Sequence, residues 1–295
     1  MNHKLQAIDM QGNKMINRFS NIMCWLVLAA VFVVVGCEQQ QKEEASVYKV
    51  LLDPNFVMPE YASRAIEVTG GLEAWMETKK LEFDCVVTFY RPDGSFYLTE
   101  QHHEIYPWLN SIRISATEPQ GKFVWELSGR SFSVLKGAER VDALPLAVCE
   151  RWLAEAMLNI TTAPVRFLDE SVEFTKSSEP VKMEGRWYYP IEQDKIQMER
   201  YWSKVVFYQN RDSSLVDMLS LCSNQNVANG GIAWLREFFA VRSYDYREVE
   251  KGGILVPTKI EIFATDAESP APGRADGVLR ERLVKIDYYR LRVTE

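Results

Sequence analysis

The 295-residue chain reads as an α+β protein made mainly of antiparallel strands. Over most of its length apolar residues recur at every second position, the period of a half-buried strand. Helical spacing is confined to two stretches of the main body. The strand segments are joined by short polar turns, whereas a parallel crossover takes a dozen or more residues.

The first element is a leader. Lys14 and Arg18 precede an apolar run, Cys24 to Val35, which closes as Val33-Val34-Val35-Gly36-Cys37. About 12 apolar residues fall short of the ~20 that a membrane-spanning helix needs. A basic region, a short apolar core and a small residue before the cleavage point are the parts of a secretory signal. With cysteine at its end, Val33 to Cys37 resembles the close of a bacterial lipoprotein signal peptide. That resemblance implies a diacylglyceryl group on Cys37, cleavage before it and acylation of the new amino terminus. Two or more acyl chains make a durable anchor, at roughly 0.8 kcal/mol per buried CH₂. The expected organisation is a signal peptide over residues 1–36, an acylated N-terminus and tether over 37–59, and one β-rich domain over 60–295. Glu38 to Ser46 is polar with almost nothing to bury, as a solvated tether should be.

Within the domain, Tyr61 to Trp75 has helical spacing with a break at Gly70-Gly71. From Leu81 the period becomes two: Leu81, Phe83, Cys85, Val87 and Phe89 alternate with polar neighbours, and Pro92-Asp93-Gly94 turns the chain into Ser95 to His102. Further strands read at 111–115, 122–127 and 131–135. Leu144 to Ile160 then places Leu146, Cys149, Leu153, Met157 and Ile160 on one helical face, with Arg151 and Glu155 well away from it. A second strand series reads at 172–175, 186–192, 204–209, 216–222, 239–248, 258–263 and 282–293. Glu268 to Gly277 is a loop by its proline and glycine content.

The formal net charge is −7, and loss of the leader leaves the remainder more acidic still. An acidic chain is a poor match for nucleic acid, whose binding rests on phosphate neutralisation by Lys and Arg. Besides Cys37, the mature part holds Cys85, Cys149 and Cys222, an odd number without metal-ligand spacing. They read as core filling, and an envelope location leaves open one disulfide of unspecified pairing. His102-His103 is the one histidine pair there. Adjacent strand residues face opposite ways, so the two rings cannot share an ion, and a solvated pair is expected. A Cys-His or Ser-His-Asp site would have to use a single histidine of this pair. No glycine-rich phosphate loop appears, and neither a metal nor a cofactor is expected.

The order helix, meander, helix, meander is similar to the periplasmic lipoprotein-carrier superfamily, LolA/LolB-like. Val205-Val206-Phe207-Tyr208-Gln209-Asn210-Arg211-Asp212-Ser213-Ser214-Leu215-Val216 resembles that family's strand, polar turn, strand pattern. Tyr244-Asp245-Tyr246 leading to Gly252 through Ile260 resembles its following hairpin, and Gly70 through Trp75 is familiar from lipoproteins of this type. The resemblance implies a curved open β-barrel, incomplete, with helices covering its concave face. A curved sheet too wide for its own side chains leaves a cavity. The expected lining is Phe123, Trp125, Phe132, Leu153, Met157, Phe207, Ile260 and Ile262, although each also suits an ordinary core. The expected function is an envelope lipoprotein, on the outer membrane facing the periplasm, that binds a lipid or lipoprotein acyl chain without transforming it. A self-filled barrel with a structural or protein-interaction role is the alternative, and an envelope hydrolase ranks behind both.

Overall fold

The computed structural model describes residues 55–118, 121–129, 131–141, 144–169, 171–193, 202–223, 238–249, 253–265 and 281–294, apart from the side chains of 144–150, 203 and 223. The leader, Cys37, the tether, the side chain of Cys149 and the loop at 268–277 lie outside these residues. Among the described residues no helix is long and apolar enough to cross a membrane.

The first helical stretch is two helices, α1 (Glu60–Val68) and α2 (Gly71–Glu77), parted where Gly70 takes φ +117°. Thr69 sits at this corner: its hydroxyl donates to the Ala65 carbonyl at 2.7 Å and accepts from Trp75 Nε1 at 3.0 Å. Trp108 Nε1 donates in turn to the Trp75 carbonyl at 2.9 Å. These bonds satisfy two buried indoles while fixing the helix pair to the 3₁₀ turn Pro107–Leu109.

The strands are β1 (Lys80–Tyr90), β2 (Phe96–Tyr106), β3 (Ser111–Glu118), β4 (Gly121–Ser128), β5 (Ser131–Lys136) and β6 (Glu139–Arg140), then β7 (Phe174–Lys176), β8 (Val181–Met183), β9 (Arg186–Gln193), β10 (Trp202–Asn210), β11 (Val216–Ser223), β12 (Phe238–Glu248), β13 (Leu255–Thr265) and β14 (Glu281–Thr294). They form one antiparallel sheet in the order β6-β5-β4-β3-β2-β1-β14-β13-β12-β11-β10-β9-β7, with β8 also on β9. The first meander runs outward from β1, and the second returns so that β14 closes onto β1. The end strands β6 and β7 do not pair, so the curved sheet is unclosed.

The chain passes from one free edge to the other through α3 (Leu144–Thr161) and α4 (Ala163–Arg166). Connecting the two edges carries α3 across the concave face, where it meets β3, β4 and β5 on one side and β11 and β12 on the other. Its length agrees with the sequence expectation; its surroundings do not. Every residue from Trp152 to Leu168 is buried, Glu155 included, so this part of the helix is enclosed on all sides instead of presenting a polar face to solvent. Several polar groups of α3 and α4 have local partners, while the buried Thr161 hydroxyl has no hydrogen bond. Glu155 accepts from Arg151 Nε at 2.9 Å, Asn159 donates to the Glu155 carbonyl, and Arg166 pairs with Asp169 at 3.0 Å.

Candidate functional site

The helix-bearing face of the sheet carries an apolar band from one meander to the other. Its register runs Trp125 beside Ile114 on β3, which lies beside His103 on β2 and then Phe83 on β1. In the second meander Ile262 lies beside Val241, Val241 beside Leu219, Leu219 beside Phe207 and Phe207 beside Ile191. Aromatic contacts identify this as the face that holds the helices. Trp152 of α3 stacks on Phe239 with centroids 5.3 Å apart, and Phe167 after α4 meets both Phe207 and Tyr61 of α1 edge to face.

Seven of the eight residues expected to line a cavity are buried: Phe123, Trp125, Leu153, Met157, Phe207, Ile260 and Ile262. Phe132 is only half-buried, because β5 lies next to the two-residue edge strand β6. A cavity of about 30 Å³ lies where α3 and α4 meet the sheet, bounded by Leu127, Glu155, Asn159, Arg166, Gln193 and Trp202. That is room for about two waters and no more. Its lining is substantially polar, unlike the band beside it. The described part of α3, from Trp152 to Thr161, is buried against this face of the sheet.

A polar group interrupts the band at its centre, which the alternation of β1 and β2 did not announce. Cys85 Sγ lies 3.6 Å from His103 Nε2, His103 Nε2 is 2.8 Å from Gln101 Oε1, and the Tyr288 hydroxyl is 3.4 Å from His103 Nδ1. An imidazole protonated at Nε2 satisfies both contacts, donating to Gln101 and accepting from Tyr288. The expected solvated histidine pair is therefore corrected: His103 is completely buried, while His102 faces outward and meets Asp84 at 2.7 Å. Burial pushes His103 down to about 3 and the free Cys85 thiol well up. Both groups are neutral near pH 7, so the pair lacks the thiolate that nucleophilic chemistry requires.

On the outer face Glu82, His102 and Glu104 bring three ligand atoms within 4.8 Å of one another. Lys80 already sits between the two glutamates, paired with Glu82 and 3.1 Å from Glu104. An entering cation would have to displace that ammonium and its ion pairs, so the group reads as a cross-strand ion network.

No family model matches the chain, and no curated protein matches it. Solved structures are similar to it at low identity. A LolA superfamily protein of Nitrosomonas europaea has 13% identity and a TM-score of 0.49 over 80% of this chain and 92% of its own. A domain described as an outer membrane lipoprotein-sorting protein, from Vibrio parahaemolyticus, has 8% identity and a TM-score of 0.45 over 79% and 93%. A DUF1329 family protein of Desulfovibrio piger has 11% identity and a TM-score of 0.41 over 79% and 91%.

Proposed function

We propose that this chain is an acylated envelope protein that binds an apolar ligand between its half-barrel and α3, without transforming it. The observation that carries this reading is the apolar band, broken at its centre by the His103 group, on a sheet left unclosed and covered by one helix that links its two free edges. A covering helix and an acyl chain make chemically equivalent contacts with such a band. Exchanging one for the other replaces apolar burial by apolar burial, at about 25 cal/mol per Å² on each side, so opening is far cheaper with a ligand than without. A lipid or a lipoprotein acyl chain is the ligand class that fits, and the anchor at Cys37 would hold the domain at the outer membrane, facing the periplasm.

The enclosure of α3 and the cavity of about 30 Å³ favour a second reading, a barrel filled permanently by its own helix and serving a structural or protein-interaction role. Native mass spectrometry of the full-length protein, with titration of a fluorescent fatty acid, separates the two. The binding reading expects copurified lipid and a saturable signal that lipid competes away. Protein that carries no lipid and takes up no probe leaves the filled barrel standing.

The anchor has its own test. Cys37→Ser should lose palmitate labelling completely, because only the thiol accepts the diacylglyceryl group, and the protein should be released from the membrane fraction. Equal labelling of both proteins would remove the lipoprotein reading.

A further inference from the structure

We propose that the outer face of the sheet holds a second binding site, a cleft at the β10–β11 turn where the buried Asp217 carboxylate receives an alkylammonium or guanidinium group. The site is independent of the half-barrel and lies on the other side of the sheet. Its wall is the β8–β9 hairpin, which folds over the outer face: Glu184 in the turn pairs with Arg242 on β12, and Val181 and Met183 pack on Tyr188, Tyr208 and Met218. The cleft left between this hairpin, the β10–β11 turn and β12 is about 560 Å³.

Asp217 lines the cleft at 5% exposure, and its Oδ1 has no hydrogen-bond partner; the neighbouring Tyr188 hydroxyl has none either. A buried carboxylate with one oxygen unpaired is costly unless a ligand or a proton completes it. Tyr188 and Asn210 lie beside the carboxyl group and favour its charged form, while two further hydroxyls are engaged elsewhere. Tyr246 donates to the Val216 carbonyl at 3.1 Å, and Ser243 Oγ lies 2.7 Å from the Tyr246 hydroxyl and 3.3 Å from the Asp217 carbonyl. Arg186 reaches only to 3.6 Å from Oδ2, from a side chain that is 61% exposed.

The charge of the lining selects the ligand. Asp212 and Asp245 stand exposed at the rim, Asp212 paired with Arg211 at 3.3 Å, so three carboxylates meet the guanidiniums of Arg186 and Arg211; the balance is still acidic and an anion is disfavoured. A metal ion is a poor fit as well, since these carboxylates are not among the described groups whose ligand atoms converge. An organic cation with N–H donors answers both the charge and the unpaired Oδ1.

Calorimetric titration of the full-length protein in detergent micelles, at fixed ionic strength, tests this with butylammonium and methylguanidinium. Tetramethylammonium, which has the charge but no N–H, is the comparison. The expected result is saturable binding of at least one donor cation, with tetramethylammonium at least tenfold weaker. Asp217→Asn should weaken binding at least tenfold, and Arg186→Ala should tighten it by removing the competing guanidinium. Absence of saturation at tens of millimolar for both donor cations, or unchanged affinity in Asp217→Asn, overturns the site. If that variant does not fold, unchanged affinity in Arg186→Ala does so.

Asp217 faces Arg186 and Tyr188 from β9, Asn210 from β10, and Asp245 and Tyr246 from β12. Burial dominates these neighbours and pushes its carboxyl up to about 6. Affinity should therefore hold from pH 8 to 7 and fall about tenfold by pH 5 as the carboxylate takes up a proton. Spermidine and phosphoethanolamine as further titrants distinguish a free polyamine from an aminolipid headgroup.

Discussion

Leu153→Asp should abolish cooperative folding of the domain, an effect larger than loss of ligand binding alone. Leu153 is 1% exposed on a helix stretch buried on every side. Truncating such a leucine costs about 2–5 kcal/mol through lost transfer energy and the cavity left behind. The new carboxylate has no partner there and adds several kcal/mol more, even if it enters protonated. The sum approaches the roughly 5–15 kcal/mol that holds a typical domain together. Near-ultraviolet circular dichroism should lose the signature of packed tryptophans such as Trp152, and urea unfolding should lose its sharp transition. Leu153→Met, which conserves volume, should stay within about 1.5 kcal/mol of the wild type. A cooperative Leu153→Asp protein of near-normal stability would mean that α3 is a loosely seated lid with open space beneath it.

The same helix shows what the sequence could and could not convey. Its period of 3.6 is written in Leu153, Met157 and Ile160, so its existence and extent were legible. Its surroundings were not, because the burial of a helix's far side depends on how widely the sheet curls. That in turn follows from pairings such as β1 with β14, some 200 residues apart in the chain. Glu155 illustrates the difference. It was placed on a solvent face by its distance from the apolar stripe, and it lies buried with Arg151 as its local partner. In β2, likewise, the rule of apolar-in and polar-out assigns Glu100, His102 and Glu104 outward correctly. It has no means of showing that Gln101 and His103 turn inward to be satisfied by each other and by Tyr288, a residue 185 positions away. The strands themselves were legible because alternation is local, whereas the polar centre of the concave face and the cleft at Asp217 are products of register.

Gly70→Ala should destabilise the domain by about 3–4 kcal/mol, and Gly71→Ala by only about 1–2 kcal/mol. Both glycines have positive φ, +117° and +87°, so an alanine at either pays for a conformation that L-residues avoid. They differ in what a Cβ would meet. At Gly71 nothing lies within 4 Å, whereas at Gly70 it would stand 2.3 Å from the Gly253 carbonyl oxygen and 2.9 Å from Ile254 Cα. Both obstacles are backbone, and neither can swing aside. Leu255 N–H donates to the Thr69 carbonyl at 3.0 Å, which ties the start of β13 to the helix corner, and Val249 N–H donates to the Ile254 carbonyl at 2.9 Å, which ties Ile254 to the end of β12. Relief would require breaking those bonds and lifting the α1–α2 corner away from the sheet. At about 2–4 °C per kcal/mol for a domain of this size, the melting temperature should drop by roughly 10 °C for Gly70→Ala and by about half that or less for Gly71→Ala. Gly70→Asn should do no better than alanine, because asparagine eases the backbone angle but still brings a Cβ. Equal shifts for the two alanine variants would show that the angle alone matters, and that the close approach of the corner to the β12–β13 loop contributes nothing to the fold.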